Sequence, residues 1–71
     1  MSMFVIRYQG TTYGVEGNSA RKAAEGFVME HFVGHFDDSI NVEFLGRTRD
    51  GLKYRGLFGR NTLVESFEVL A

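Results

Sequence analysis

The apolar residues of this chain alternate with a period of two along most of its length, and they change to a period of 3.6 in a single segment, 20–33. Alternation is typical of a strand with two different faces, whereas the 3.6 period is typical of a helix with one apolar side. One helix can cover only one face of a sheet. The sequence therefore predicts an α+β fold with two layers and the order ββαβββ, in which a single helix packs on one face of an antiparallel sheet.

Length and composition bound the class of protein. The chain has 71 residues, so we expect a single domain, 1–71, and its 44% hydrophobic content is enough for a core. The absence of Cys excludes disulfides and Cys-ligated metal sites. No apolar stretch of about 18 residues occurs and the start has no charged leader, so we expect neither a membrane span nor a signal peptide. We expect a cytoplasmic location, with which the lack of Cys agrees.

The first hairpin and the helix have clear local signals. A two-residue turn at 9–10 would pair Ile6 with Tyr13, which brings the large apolar groups of both strands onto one face. Asn18 or Ser19 is a suitable N-cap for the following helix, and Gly34 can end that helix in the left-handed conformation. The predicted apolar stripe of the helix is Ala20, Ala23, Ala24, Phe27, Val28, His31 and Phe32.

The second hairpin turns near Gly51 and allows two registers. A two-residue turn would place two cations, Lys53 and Arg55, on the apolar face. A three-residue turn that ends at a left-handed Gly51 pairs Thr48 with Leu52 and keeps both cations outside. We prefer the second register because burial of two cations would be costly. The predicted strands include 3–8, 11–15, 40–47 and 63–70.

The open face of the predicted sheet carries the candidate binding site. Positions 23–46 contain five acidic residues and no Lys or Arg, whereas positions 47–60 contain five basic residues and one Asp, so a net charge of −1 hides a basic hairpin. Arg outnumbers Lys there, which suits bidentate contacts to carboxylate or phosphate. The predicted partner-binding residues are Arg7, Leu45, Arg47, Arg49, Lys53, Arg55, Leu57 and Arg60.

Several functions are compatible with such a face. The leading hypothesis is a small non-enzymatic protein-binding module, an inhibitor or adaptor, because Val5 and Val64 are also predicted to point outward and would interleave with the charges. One alternative is a weak nucleic-acid binder that uses the same cations on phosphates, without rings for base stacking. Another is a homodimer that buries the open face or an edge strand. The simplest alternative is that the basic hairpin is ordinary solvated surface.

Two clusters of polar residues have the composition of a metal or catalytic site. His31 and His35 have the spacing of metal ligands on a helix, but Gly34 interrupts the helix between them. Asp37 and Asp38 are adjacent carboxylates of the kind that form turns more often than they perform acid–base catalysis. We therefore expect no metal, no cofactor and no catalytic activity.

In size and layout the predicted domain resembles small phage-encoded proteins that bind and block host machinery, including some anti-CRISPR proteins. The resemblance rests on chain length and on the order of the elements, and it transfers no residue roles. It implies a protein partner, such as a complex that handles nucleic acid, and inhibition by covering that partner's surface.

Overall fold

The computed structural model describes residues 1–70, which form one helix packed on a five-stranded antiparallel sheet. The predicted fold class is confirmed. The elements are β1 (Ser2–Tyr8), β2 (Thr11–Gly17), α1 (Ala20–Val28), a π-helical turn (Met29–Val33), β3 (Ile40–Arg47), β4 (Gly51–Phe58) and β5 (Asn61–Leu70). The strands lie in the order β2-β1-β5-β4-β3, so the last strand along the chain is the middle strand of the sheet.

The first hairpin has the predicted register. β1 and β2 pair without interruption through seven residue pairs, with Ile6 opposite Tyr13. The turn residues Gln9 and Gly10 have φ angles of 50° and 80°. Two positive φ values are the signature of the two-residue turn whose twist matches that of the strands it joins.

The helix differs from the prediction in its last turn. Ser19 is the N-cap, and its side chain accepts a hydrogen bond from the third amide of the helix at 3.2 Å. The α-helical winding ends at Val28, and five further residues form a π-helical turn that Gly34 closes with a φ of 88°. The predicted cap at Gly34 is confirmed. The rings of His31 and Phe32 pack against that of Phe27 at 5.1 and 5.6 Å, so both residues continue the predicted stripe. In the wider turn, however, both remain largely exposed.

The second hairpin differs from the prediction in its register. Thr48 does not pair with Leu52, because strand pairing closes one residue earlier, with Arg47 opposite Leu52. Thr48 instead closes the turn, since its amide donates to the Gly51 carbonyl at 2.8 Å and its hydroxyl accepts from the Gly51 amide at 3.0 Å. A bulge in β3 just before Gly46 changes the register again, and Gly46 has a φ of 124°. The left-handed glycine of this hairpin is Gly46, and not Gly51 as predicted.

The core lies between α1 and the inner face of the sheet. Phe67 and Val69 point inward as predicted. Val64 was predicted to point outward, but it is only 1% exposed. The reason is a pair of register shifts between β4 and β5 around Gly56, which break the even spacing from Val64 to Phe67.

Phe27 forms the centre of this core and is fully buried. Its ring centroid lies 5.0 Å from that of Phe67, 5.1 Å from that of Tyr13 and 6.1 Å from that of Tyr8. One helical side chain therefore contacts rings from β1, β2 and β5. This arrangement holds the helix across the strands and leaves the opposite sheet face uncovered.

Candidate binding surface on the open sheet face

The open face carries rows of side chains that cross the strands. One row runs from Arg7 on β1 through Glu68 on β5 to Lys53 on β4. Arg7 Nη2 donates to Glu68 Oε1 at 2.8 Å and to Asp50 Oδ2 at 2.9 Å. Glu68 Oε2 accepts from the Thr48 hydroxyl at 2.5 Å. The network connects the middle of the sheet to the turn between β3 and β4.

The network holds both of its central groups in their charged forms. The hydroxyl of Thr48 and then the guanidinium of Arg7 stabilise the carboxylate of Glu68 and lower its pKa below the ordinary value of 4.5. Hydrogen bonds to Glu68 and Asp50 raise the pKa of Arg7. Arg7 is thus a compensated cation, since two carboxylates of the same molecule bind it.

Glu68→Gln is expected to lower the urea midpoint at pH 7, because the charged form of Glu68 is stabilised only in the folded state. A lowered folded-state pKa contributes stability that is fully present above the unfolded value near 4.5 and is lost as the pH falls through the folded pKa. The difference between the variant and the wild type should therefore shrink as the pH is lowered from 7 towards about 2. Urea denaturation followed by circular dichroism at each pH measures this difference in midpoint.

Glu65→Gln is the matched control, since Glu65 is an exposed glutamate of the same strand without an ion pair among residues 1–70. The urea midpoint of Glu65→Gln should equal that of the wild type at every pH. A Glu68→Gln difference that stays constant with pH would contradict the role assigned to the carboxylate charge.

A second charged row lies nearer the β3 edge. Arg55 on β4 is directly opposite Glu43 on β3, and the two side chains form an ion pair. The buried Nε of Arg55 has no hydrogen-bond partner within residues 1–70. Like Arg7, Arg55 is a cation whose charge is compensated by a neighbouring strand.

The structure does not bring the predicted cations together. The bulge before Gly46 moves Arg47 to the helix side, where it is opposite Leu52, a residue that packs against the core. The prediction that Arg47 points to the open face is therefore wrong. Arg49 lies in the turn before β4, and Arg60 follows the other end of this strand, roughly 25 Å away at about 3.3 Å per residue.

The two predicted apolar residues lie apart as well. Leu45 is at the bulge of β3 and is 43% exposed. Leu57 is half-buried and lies opposite Asn41, towards the far end of β4. These leucines and the cations around them do not form one continuous site.

A different apolar group lies at the start of β1, and we call Met3, Val5 and Leu70 the open-face patch. Val5 is directly opposite Leu70, and Met3 is two residues away on the same face of β1. Met3 is 65% exposed and Val5 42% exposed. Gly14 and Gly51 occupy the neighbouring positions of the Val5–Leu70 row, so no side chains flank it.

Sequence reasoning found only part of this patch. Alternation along the first strand places Met3 and Val5 on the same side, away from Phe4 and Ile6, but sequence reasoning did not identify Leu70. Leu70 alternates out of phase with the buried Val69, and that was the available signal. The closeness of Leu70 to Val5 depends on the pairing of β5 with β1, which links the two ends of the chain and which no local pattern predicts.

The two histidines and the adjacent aspartates do not come together as a catalytic or metal site in the described part of the chain. The ring of His31 lies 4.8 Å from that of Tyr13, and His35 Nε2 is 4.0 Å from the carboxylate of Asp37. Among residues 1–70 no group of three or more His, Cys, Asp or Glu side chains is arranged to hold a metal ion. No helix in this range combines the length and the apolar character that a membrane crossing requires.

Comparisons with known proteins give no match to a family model, to a curated protein or to a solved structure. The function is therefore inferred from the geometry of the chain itself.

Proposed function

We propose that this chain is a small non-enzymatic protein-binding module that covers a partner's surface with its open sheet face, as an inhibitor or adaptor does. The observation that carries the proposal is the open-face patch, in which Met3, Val5 and Leu70 are accessible beside charges that are already compensated. An apolar centre with a polar rim is the usual composition of a protein interface.

The size of the open face agrees with this proposal. A standard interface covers about 800 Å² on each partner. That is about a sixth of the 4597 Å² accessible surface of residues 1–70. Five strands at about 4.8 Å spacing give a face about 24 Å wide. The eight residues of β3 or β4 at about 3.3 Å each give a length of about 26 Å, so the projected area of the face is roughly 600 Å².

The rim of the patch favours a protein over a polyphosphate. Arg7 lies one row from Val5 and is bound by Asp50 and Glu68, so the local charge is balanced. Lys53 lies opposite Glu68. A phosphate backbone is attracted by an excess of positive charge, whereas a protein surface of mixed charge can pair with both signs of this rim.

The phosphate-binding alternative uses the same hairpin cations, of which four have no ion pair within residues 1–70: Arg47, Arg49, Lys53 and Arg60. Arg47 is on the helix side, Arg49 is in a turn and Arg60 lies beyond the far end of β4, so these three do not extend a single groove. In the strands of residues 1–70 the aromatic rings lie on the helix side, as Phe44 and Tyr54 do opposite each other, so the open face offers no ring for base stacking there.

A photo-crosslinking amino acid, p-benzoylphenylalanine, placed at position 5 and expressed in the native host tests the proposal. Position 22 is the matched control, since Lys22 is exposed on the helix and faces away from the open face. The expected result is a discrete protein adduct from position 5 that survives nuclease treatment and is absent from position 22. By the resemblance to phage-encoded inhibitors, we further propose that this partner is a cytoplasmic protein of the host machinery.

Other outcomes would contradict it. An adduct that nuclease removes would favour the phosphate-binding alternative. An adduct of twice the chain mass of 8.0 kDa would mean that the open face binds a second copy. Absence of any adduct from position 5 would leave the patch as ordinary surface.

A further inference from the structure

β2 is an edge strand whose outer backbone groups have no partner. The two-residue turn makes Tyr8 and Thr11 a hydrogen-bonded pair, so the backbone groups of Thr12, Gly14 and Glu16 point away from β1. Within residues 1–70 no other element and no side chain forms a hydrogen bond to them. Gly14 is exposed, and since glycine is backbone alone, the backbone itself is accessible there.

The opposite edge of the sheet, β3, is blocked. Arg21 reaches from the helix and donates to the Val42 carbonyl at 3.0 Å, while the side chain of Asn41 accepts from the Val42 amide at 2.8 Å. The bulge before Gly46 distorts the rest of this edge. Proteins protect edge strands with such devices, and with Pro or charged side chains, Lys above all. β2 pairs regularly and contains no Pro, Lys or Arg, so Glu16 is its one protective charge.

We infer that β2 pairs with β2 of a second copy of this chain, antiparallel, about a two-fold axis at Gly14. In this register Thr12 lies opposite Glu16 of the other copy, and Gly14 lies opposite Gly14. Each of these outward pairs exchanges two hydrogen bonds. All the free backbone groups of Thr12, Gly14 and Glu16 are then paired, and the two sheets become one continuous sheet.

The charges and side chains of β2 complement a second copy in this register. Glu16 is the only charged residue of the strand, and it faces the Thr12 hydroxyl instead of another carboxylate. An axis at Glu16 would place two carboxylates face to face, which is unfavourable. On the helix side, Tyr13 lies opposite Val15, and an aromatic residue beside a β-branched one is a stabilising pair across strands.

The helix layer also leaves this edge accessible. A two-fold axis normal to the sheet keeps both helices on the same side. The helical residue above Val15 is Gly26, where a Cβ would lie 3.9 Å from Val15 Cγ1. Because glycine is present, no side chain at this position projects over the edge.

Cysteine substitution tests the inferred axis directly, since the natural chain contains no Cys. Residues opposite each other in a hydrogen-bonded pair have Cα atoms about 5.5 Å apart, within the range that a disulfide spans. Gly14→Cys should therefore form a disulfide dimer under mild oxidation. Thr12→Cys is the control, because two copies of position 12 would be about four residues, or roughly 13 Å, apart along the strands. We expect the first variant to crosslink at least about tenfold faster.

Sedimentation equilibrium of the unmodified chain provides the second measurement. The expected mass is twice 8.0 kDa at concentrations near 100 μM. Gly14→Lys places two ammonium groups together at the axis and should give the monomer mass, whereas Gly14→Ser should not. Both variants should fold, because a Cβ at position 14 meets only Met3 Sδ, at 3.5 Å. Far-UV circular dichroism checks the fold.

A wild-type chain that sediments as a monomer, together with equal crosslinking of the two Cys variants, would overturn the inference. A dimer that Gly14→Lys leaves intact would also overturn it, since its interface must lie elsewhere. Binding of a foreign strand at β2 would appear as a monomer mass in the purified chain. In this register Val5 is two strand spacings, roughly 10 Å, from Gly14 of the second copy. A crosslink between two copies from position 5 that Gly14→Lys removes therefore reports this dimer, whereas a crosslink to a foreign protein tests the proposed function, and the two failures are distinguishable.

Discussion

Phe27→Ala is expected to lower the free energy of unfolding by about 3–5 kcal/mol, the range found when a fully buried Phe is truncated. Phe27 has no exposed surface, and its ring contacts the rings of Tyr8, Tyr13 and Phe67 on three strands. A domain of this size has a total stability of about 4–10 kcal/mol at roughly 0.05–0.15 kcal/mol per residue. The variant should therefore lose about a third of its stability or more.

Urea denaturation followed by far-UV circular dichroism measures this loss. Phe36→Ala is the matched control, because it makes the same substitution at a side chain that is 74% exposed. We expect the control to change the free energy of unfolding by less than about 0.5 kcal/mol. Similar losses in both variants would mean that the cluster around Phe27 is not the centre of the core.

Gly51→Ala is expected to destabilise the fold by about 3 kcal/mol, at the upper end of what overpacking costs. A Cβ at position 51 would lie 2.9 Å from the Cα of Leu70 and would also meet the carbonyl oxygen of Val69. Both atoms are backbone of β5, the middle strand of the sheet, so they cannot move without a disturbance of the pairing on either side. The cost follows from close backbone approach, because Gly51 itself has no positive φ.

Gly14→Ala is the matched control for this prediction, since Gly14 lies at the other end of the same row of the open face. Its Cβ would meet nothing nearer than Met3 Sδ at 3.5 Å. Its free energy of unfolding should change by less than about 1 kcal/mol. Equal effects at the two positions in the same denaturation experiment would show that β5 can move away from Gly51.

The candidate site was predicted only in part. The outward direction of Val5, Arg7, Lys53 and Arg55 follows from alternation and is consistent with their positions opposite other open-face residues. The ion pairs that compensate Arg7 and Arg55 could not be predicted, because each joins a strand to a different element of the fold. A chain with one basic segment therefore folds into a face whose central charges are mostly paired.

Local chemistry was sufficient for the elements themselves. The turn at Gln9-Gly10, the N-cap at Ser19 and the left-handed Gly34 are each decided within a few residues of the chain. The alternation of the strands and the single amphipathic helix follow from the sequence in the same way. Together they determine the α+β class, because one apolar stripe can cover only one apolar face.

Tertiary structure alone decided the order of the strands and the positions of the bulges. β5 lies between β1 and β4 because backbone pairing over a long sequence separation completes the sheet, and no local pattern encodes that choice. The bulges before Gly46 and around Gly56 each shift the register, and a shift of one residue moves a side chain to the opposite face. For this reason Arg47 is on the helix side and Val64 is in the core. The strand order, in turn, leaves β2 at an edge of the sheet.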